Sequence, residues 1–224
     1  MSQTNNEIVL GYWAIRGLVE PIRLALQYAK TPYTDKLYVQ GEGPEFSRED
    51  WLQEKEKLGL DFPNLPYIFH GDVKITQSKA ILYYLGRQLN LMGANPTEEA
   101  FVMMLCEEAH DLRFQTNSVF YSPKGESKDE RKQFVETTLN TAFKKFDDYL
   151  GKTKTKFAVG NQPTIADFQV YEYLDASLAI DEDNTLLEKY SNVKQFLNTI
   201  RELPQIKDYI ATAHAQLPLN NKGK

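Results

Sequence analysis

Cysteine and histidine are scarce in this chain of 224 residues, which contains one cysteine, Cys106, and three histidines. A single cysteine cannot form a disulfide within the chain, and no CxxC motif or Cys/His cluster is present to hold a structural zinc ion. These absences exclude a disulfide-stabilised domain and a zinc-binding module, and they predict a protein of a reducing compartment.

Long hydrophobic runs and an excess of positive charge are also missing. No stretch approaches the roughly 18 apolar residues that a membrane-spanning helix needs, and Met1–Glu7 lacks the basic and apolar regions of a secretory signal. The 26 basic and 31 acidic residues give a formal net charge of -5, which does not favour binding to phosphate backbones. We therefore expect a soluble cytoplasmic protein that binds neither nucleic acid nor membranes.

Common catalytic motifs are absent as well. The histidines are far apart in sequence and lie outside HExxH and Gly-x-Ser-x-Gly contexts: His70, His110 and His214. Gly41 and Gly43 lack the third glycine of a dinucleotide-binding loop. Cys106 lies in a helical stripe beside two glutamates, whose charges disfavour a thiolate, so we expect it to serve packing.

The residues up to Leu89 alternate between strand and helix patterns. Short β-branched or alternating runs predict strands, and apolar residues at helical spacing predict helices. The predicted strands span 8–10, 33–39, 66–69 and 73–75, and the predicted helices span 18–29, 49–57 and 78–89, the last capped by Ser78. The order βαβ then ββα predicts a small mixed sheet with helices packed against it.

The composition changes after the last of these helices. Asn90–Pro96 contains glycine, asparagine and proline and is expected to be a linker, and no strand is predicted beyond it. Apolar stripes predict a helix around 101–112, one over 135–150 that ends at Gly151, and one that opens with a Thr164/Asp167 capping box. Pro204 is expected to begin a final short helix. The predicted division is therefore a first domain at 6–89, a linker at 90–96, a helical domain at 97–217 and a tail at 218–224.

The end of the first strand is the most promising place for chemistry. Gly11–Trp13 closes this strand and Ala14–Gly17 leads into the first helix. Ligands in open α/β sheets tend to bind beyond the carboxyl ends of the strands. Spacing alone leaves Tyr12 either a core residue or a site residue.

Two further features are predicted at the same edge. Asn64–Pro66 enters a strand through an X-Pro bond, where a cis peptide would turn the backbone groups of Leu65 toward an extended ligand. Gln77–Ser78 lies at a helix N-terminus, which favours a carboxylate, although a serine there is most often only a cap.

Four blocks of this sequence also carry a family resemblance. They are Gly11–Gly17 (GYWAIRG), Trp51–Lys55 (WLQEK), Leu58–Tyr67 (LGLDFPNLPY) and Ile75–Ser78 (ITQS). In this order and spacing they closely resemble the cytosolic glutathione S-transferases, above all the mu class, and the likeness runs from about Ile8 to about Leu217. The resemblance implies a thioredoxin-like N-terminal domain, an all-helical C-terminal domain, and a homodimeric enzyme that transfers glutathione sulfur to hydrophobic electrophiles in detoxification.

The resemblance gives Tyr12 a specific role. It matches the family tyrosine whose hydroxyl meets the glutathione sulfur. A tyrosine with a pKa near ~10 is a hydrogen-bond donor at neutral pH, whereas a thiol with a pKa near ~8.5 is mostly protonated. A hydrogen bond donated to the thiolate favours the charged form, and lowering the thiol pKa by about two units requires roughly 2.7 kcal/mol. The resemblance implies no metal or cofactor; glutathione is the co-substrate.

The resemblance also implies a set of glutathione-binding residues. Besides Tyr12, those expected to hold glutathione are Trp13, Leu18, Arg48, Trp51, Lys55, Asn64, Leu65, Pro66, Gln77 and Ser78, with Asp111 reaching across from the partner subunit. Lys and Arg suit the glycyl carboxylate, and Gln77 and Ser78 match the residues at the γ-glutamyl end. Phe62 resembles the aromatic residue that inserts into the neighbouring subunit at the dimer interface.

The sequence matches the family less completely at the electrophile site. Residues expected there are Ile15, Leu18, His110, Phe114 and Tyr121. Tyr121 is expected to donate to a developing negative charge on the second substrate. His110 and Phe114 depart from the side chains that mu enzymes often carry, so substrate preference stays open. Two rival functions on the same fold also stay open, a non-catalytic carrier of hydrophobic ligands and a structural protein.

Overall fold

A four-stranded sheet organises the first part of the chain in the computed structural model, which describes residues 7–222. Its strands are β1 (Ile8–Trp13), β2 (Tyr33–Tyr38), β3 (Tyr67–His70) and β4 (Val73–Thr76). The spatial order is β2-β1-β3-β4; β1 runs parallel to β2, and β3 is antiparallel to both β1 and β4. The predicted mixed sheet and its 66–75 hairpin are confirmed.

Three helices belong to this sheet: α1 (Glu20–Tyr28), α2 (Glu49–Lys55) and α3 (Ser78–Gln88). Helix α1 buries Ile22 and Leu26 completely, and α3 does the same with Ile81 and Leu85. These positions recur at helical spacing, which puts them on one face of each helix, and α1 and α3 pack against each other. Each such side chain contributes roughly 1.5–3 kcal/mol through its burial.

The start of α3 differs from the prediction. Ser78 is the first residue inside the helix, and Gln77 holds the N-cap position with φ 74° and ψ 115°. The Gln77 side chain makes no cap hydrogen bond. The prediction that Ser78 caps the helix is wrong, because its spacing to the apolar stripe does not show that the chain turns sharply one residue earlier.

The second part of the chain is helical, and residues 90–222 contain no strand. Its helices are α4 (Pro96–Phe120), α5 (Lys128–Phe134), α6 (Asn140–Lys152), α7 (Ile165–Ser177) and α8 (Ser191–Arg201), followed by the short α9 (Lys207–Tyr209). A π-helical turn, Val135–Leu139, joins α5 to α6. The predicted class, a mixed α/β unit followed by helices, is confirmed.

Two helix ends differ from those predicted from the sequence. Asn95 caps α4 by accepting from the amides of Thr97 and Glu98 at 3.1 and 3.0 Å, so Pro96 is a helical residue and not part of the linker. Helix α6 continues through Gly151 to Lys152. A Cβ at Gly151 would lie 2.8 Å from Nδ2 of Asn192, so this glycine makes room for a neighbouring side chain and does not end the helix.

The capping box at the start of α7 is confirmed. The Thr164 side chain accepts from the Asp167 amide, while Asp167 Oδ2 accepts from the Thr164 amide at 2.7 Å. Helix α7 packs against α4, where Gln169 donates to the carbonyl of Cys106 at 2.8 Å. The cysteine is buried, as expected for a packing role, and burial raises the pKa of its thiol.

The contacts divide the chain into two units that differ from the predicted domains at the C-terminal end. The first unit holds the described residues up to Leu89 and again from Asp208 on, and the second holds Asn90–Lys207. Residues 208–217 were assigned to the helical domain, but Tyr209 hydrogen-bonds Glu20 at 2.7 Å. The final helix begins at Lys207 and not at Pro204. Residue 6 of the predicted first domain and residues 223–224 of the predicted tail lie outside the described residues.

Candidate functional site

The sheet register places three predicted site segments at one edge. Gly11 pairs with Tyr67, and Tyr67 pairs with Thr76. Tyr12 follows Gly11 within β1, Pro66 precedes Tyr67, and Gln77 follows Thr76. All three therefore lie on the same side of this row of paired residues. The edge that the sequence singled out is therefore a single surface built by β1, β3 and the start of α3.

Gly11 is required at this register because Tyr67 covers it. A Cβ at Gly11 would overlap Cε1 and Cζ of the Tyr67 ring, which lies against the strand at this point. The glycine in the GYW block therefore allows an aromatic ring to pack over β1 directly before Tyr12.

Tyr12 is both buried and hydrogen-bonded at the turn that follows β1. Its side chain is 6% exposed, and its Oη accepts a hydrogen bond from the backbone amide of Leu18 at 3.1 Å. Gly17 has φ +50°, and a Cβ there would lie 2.7 Å from Tyr12 Oη. The turn Ala14–Leu18 thus folds closely over the hydroxyl, and a glycine is needed both for its backbone angle and for its space.

This arrangement suits donation by the hydroxyl. In the hydrogen bond with Leu18 the amide is the donor, so that bond does not use the hydrogen of the Tyr12 hydroxyl. Hydrogen bonds in a chain polarise one another, and accepting from an amide makes a hydroxyl a better donor. Tyr12 can therefore stabilise an anion placed at the edge of the sheet.

An aromatic cluster lies beside this turn. Trp13 meets Tyr38 edge-on at 6.4 Å between ring centroids, Tyr38 meets Trp51 edge-on at 5.3 Å, and Trp51 stacks on Tyr67 at 6.1 Å. Both predicted tryptophans therefore belong to one packed group. Tyr38 and Tyr67 were not predicted as members; their only sequence signal is their position in strands, which does not distinguish them from ordinary core residues.

A polar network fixes α2 to the sheet through the same cluster. Tyr38 Oη donates to Glu54 Oε2 at 2.8 Å, and Lys36 Nζ donates to Glu54 Oε1 at 3.0 Å. The hydrogen bond from Lys36, followed by that from Tyr38, lowers the pKa of Glu54. This ionised carboxylate links α2, the helix that carries Trp51, to two residues of β2.

The two cations predicted for the glycyl carboxylate flank α2. Arg48 holds the N-cap position and is exposed, while Lys55 is the last residue of the helix. Lys55 Nζ lies 3.6 Å from Oε1 of the exposed Glu56. Such a surface ion pair contributes little to stability. Both side chains can therefore turn toward an anionic ligand at small energetic cost.

The Leu65–Pro66 peptide bond is cis, as predicted, and Pro66 leads directly into β3. The Leu65 amide donates to Asn64 Oδ1 at 2.9 Å. An extended ligand that pairs with this amide must therefore replace the Asn64 side chain as the acceptor. Asn64 is exposed, so its side chain can swing away and make such an exchange.

Gln77 and Ser78 present the N-terminus of α3 at the same edge. The left-handed φ of Gln77 is unusual for a residue with a side chain and marks a backbone strain that is often found at functional sites. The first-turn amides of α3 receive no cap from Gln77. Together with the helix dipole they favour a carboxylate at this position.

Comparison with known proteins agrees with this geometry. The family model described as "Glutathione S-transferase, N-terminal domain" matches residues 8–87, and "Glutathione S-transferase, C-terminal domain" matches residues 110–213. The chain belongs to the glutathione S-transferase family. The resemblance drawn from the four sequence blocks is confirmed, and membership makes this chain a glutathione transferase enzyme.

Curated relatives and solved structures cover nearly all of the chain. Glutathione S-transferase Mu 2 of Mus musculus is 42% identical over 206 residues, which is 92% of this chain and 91% of the mouse protein. Mu 2 of Rattus norvegicus is 43% identical, covering 91% of this chain and 90% of the rat protein. The crystal structure of the glutathione S-transferase Blo t 8 superposes with a TM-score of 0.83 at 31% identity, over 95% of this chain and 96% of that one.

Several predicted residues of this glutathione S-transferase lie on α4 of the second unit. His110 and Phe114 are four residues apart, and Tyr121 follows the helix as its C-cap, so all three share one face. Phe114 is 74% exposed and Tyr121 is 42% exposed. Asp111 is exposed on another face, in a groove between α4 and α6. Their roles stay predictions.

The remaining predicted residues lie in the first unit. Ile15 is buried, and Leu18 is half-buried in the turn that covers Tyr12. Phe62 is 77% exposed, which is unusual for a phenylalanine. Among residues 7–222, no helix is long and apolar enough to cross a membrane, and no group of three or more His, Cys, Asp or Glu side chains is arranged to hold a metal ion.

Proposed function

We propose that this enzyme activates glutathione by a hydrogen bond from Tyr12 to the sulfur and transfers the thiolate to hydrophobic electrophiles. The observation that carries this mechanism is the hydrogen bond from the Leu18 amide to Tyr12 Oη, at the edge where β1, β3 and α3 meet. The hydroxyl is held in place and polarised there, so it can favour the charged form of a bound thiol.

The chemistry needs no further co-reactant. Glutathione loses its thiol proton to solvent, the sulfur attacks an electrophilic carbon, a carbon–sulfur bond forms, and the leaving group departs with its electron pair. No electron is gained or lost overall. Glutathione as co-substrate therefore suffices, and the reaction requires no covalent intermediate with the enzyme.

The rest of glutathione is assigned along the same edge. We assign the glycyl carboxylate to Arg48 and Lys55 beside Trp13 and Trp51, since these are the cations that flank α2. The cysteinyl unit pairs with the backbone of Leu65 between Asn64 and Pro66, with Leu18 nearby. The γ-glutamyl carboxylate lies at the α3 N-terminus, where Gln77 and Ser78 bind it. Asp111 of a second subunit supplies the negative charge for its ammonium group.

The second substrate is a hydrophobic electrophile. The apolar side chains assigned to it are Ile15, Leu18 and Phe114, together with His110 and Tyr121. Phe114 supports this assignment, since its ring is largely exposed and offers apolar contact area. Tyr121 supplies a hydroxyl that can donate to negative charge as the sulfur attacks. The cytoplasm, where a lone buried cysteine stays reduced, is the proposed location.

Binding to immobilised glutathione and turnover of a generic aryl halide test the function together. We expect the protein to be retained, to be eluted by free glutathione, and to release halide only when glutathione is present. A carrier of hydrophobic ligands would bind the halide without consuming glutathione. A structural protein on this fold would do neither, so either outcome contradicts the proposal.

The dimer proposed for this enzyme rests on Phe62. A side chain with 77% of its surface exposed gains much of its burial energy only when another surface covers it. Phe62→Ala is therefore expected to weaken self-association by about tenfold or more, measured by sedimentation over a dilution series. Phe114→Ala is the matched control, because this phenylalanine is 74% exposed but is assigned to the electrophile. Equal effects of the two substitutions, or no effect of the first, would contradict a specific contact.

A further inference from the structure

The turn that covers Tyr12 is held from outside by the C-terminal segment of the chain. The amide of Arg16 donates to the carbonyl of Pro218 at 2.8 Å, and the amide of Gly17 donates to the carbonyl of Leu219 at 3.3 Å. We name residues 209–220 the C-terminal strap. It supplies the acceptors for the two amides that directly precede the Leu18 amide.

A second connection from the strap runs through side chains. Tyr209 Oη donates to Glu20 Oε1 at 2.7 Å, and Glu20 Oε2 accepts from Arg23 Nη1 at 3.0 Å. The same Arg23 Nη1 donates to the carbonyl of Ile15 at 2.8 Å. Three hydrogen bonds thus link a tyrosine of the strap to the backbone of the turn, just before Arg16.

The side-chain connection is rigid because its charged members are buried. Glu20 and Arg23 are both 0% exposed. Arg23 is held further by two hydrogen bonds to Asp35, from Nε at 2.8 Å and from Nη2 at 3.3 Å. Hydrogen bonds between ionised groups in a buried site are strong and directional, so displacing one member shifts the others.

We propose that the C-terminal strap is a positioning element for thiolate formation, with Tyr209, Pro218 and Leu219 as its positioning residues. By fixing Ile15, Arg16 and Gly17, the strap sets where the Leu18 amide meets Tyr12 Oη. This inference rests on the proposed function, since it concerns the hydroxyl that stabilises the thiolate. Small misplacements matter here because the strength of a hydrogen bond falls steeply with distance and angle.

The side-chain connection is tested by Tyr209→Phe, which removes one hydroxyl and keeps the ring. The pKa of enzyme-bound glutathione, titrated by the ultraviolet absorbance of its thiolate, is expected to rise by about 0.5 to 1 unit. Below that pKa, kcat falls by roughly threefold to tenfold with the thiolate fraction. KM for glutathione stays within about twofold, because the proposed binding residues on α2 and α3 are untouched.

The backbone connection is tested by a truncation that leaves Tyr209 in place. A chain that ends at Leu217 lacks both acceptor carbonyls and is expected to show a rise in the thiolate pKa of the same size. A chain that ends at Asn220 keeps Pro218 and Leu219, and it is expected to titrate like the full-length protein. These two chains differ only by Pro218, Leu219 and the buried Asn220, so the comparison tests the end of the strap that carries the two carbonyls.

Tyr190→Phe is the control that distinguishes a general loss of stability from a specific effect on the thiolate pKa. Tyr190 Oη also donates to a protein oxygen, the carbonyl of Asn140 at 2.9 Å, but it lies in the second unit. This control is expected to lower thermal stability without moving the thiolate pKa. Equal shifts for Tyr190→Phe and Tyr209→Phe, or no shift for Tyr209→Phe and the Leu217 truncation, would overturn the role of the strap.

The experiments also distinguish a failure of the strap proposal from a failure of the proposed function. If the wild-type enzyme shows bound thiolate and Tyr12→Phe removes it, the mechanism stands whatever the strap variants do. If the wild-type enzyme shows no bound thiolate, the mechanism itself is wrong and the strap has no thiolate to position.

Discussion

Replacing Tyr12 with phenylalanine is expected to raise the pKa of enzyme-bound glutathione by about one to two units and to lower kcat/KM by roughly tenfold to thousandfold. The substitution removes one oxygen and leaves the ring in place, so the buried packing at the end of β1 is kept. The Leu18 amide loses its acceptor, and the sulfur loses the donor proposed for it. The thiolate absorbance of bound glutathione, followed against pH, measures the first effect directly.

The matched control is Tyr33→Phe in the same sheet. Tyr33 pairs with Ile8 at the opposite end of β1, and its Oη accepts from Gln27 Nε2 at 3.4 Å. This variant also loses a hydroxyl that accepts a hydrogen bond, yet Tyr33 lies far along the sheet from Tyr12, which pairs with Leu37. We expect its thiolate titration and its turnover to match those of the wild type.

Two results would contradict the role of Tyr12. An unchanged thiolate pKa in Tyr12→Phe would show that another donor stabilises the sulfur. A fall in activity through KM for glutathione alone, with kcat kept, would make Tyr12 a binding residue that does not act on the thiol.

Hydrophobic periodicity predicted β1, α1 and α3 because the apolar side chains of these elements are buried. The β-branched run at Ile8 and the helical stripe through Ile22 and Leu26 are forced by burial, which is the signal that periodicity measures. The same signal could not decide the role of Tyr12. Its ring is buried and its hydroxyl is hydrogen-bonded at the site edge, so the core and site interpretations describe different atoms of one side chain.

The parts that the sequence did not predict depend on partners that are distant along the chain. Tyr209 and Glu20 are 189 residues apart, and no local pattern connects them. Gly151 had the pattern of a helix end, but the nearby Asn192 side chain explains why a glycine stands there. Helix propensity and spacing describe neighbours in sequence, whereas these features are fixed by neighbours in space.

The largest stability effect is expected at Asp167. This carboxylate is completely buried and accepts three hydrogen bonds: from the Ala158 amide at 2.8 Å, the Thr164 amide at 2.7 Å and the Thr164 hydroxyl at 2.9 Å. Asp167→Ala leaves these donors without their acceptor inside the second unit. Because each unsatisfied buried donor costs about 1–3 kcal/mol, we expect a loss of roughly 3–5 kcal/mol in the free energy of unfolding.

The same carboxyl gives the fold a pH dependence with a defined sign. Burial raises the pKa of Asp167 from 3.8 to about 6, against the opposing hydrogen bonds from Ala158 and Thr164. The folded state therefore holds the proton more tightly than the unfolded state, and its contribution to stability decreases as pH rises from about 4 to about 6. Asp167→Ala is expected to remove this slope, measured by chemical denaturation across that pH range.

The control for Asp167→Ala is Asp148→Ala on α6. Asp148 is exposed and pairs with Lys144 across one helical turn at 2.8 Å, so it tests the loss of an aspartate without the loss of buried acceptors. Its denaturation midpoint is expected to stay at the wild-type value. Thr164→Ser keeps the hydroxyl and should also stay close to the wild type, whereas Thr164→Ala should follow Asp167→Ala part of the way. If Asp167→Ala and Asp148→Ala were equally stable, the capping box would not hold the start of α7, and the burial of that helix would have to rest on packing alone.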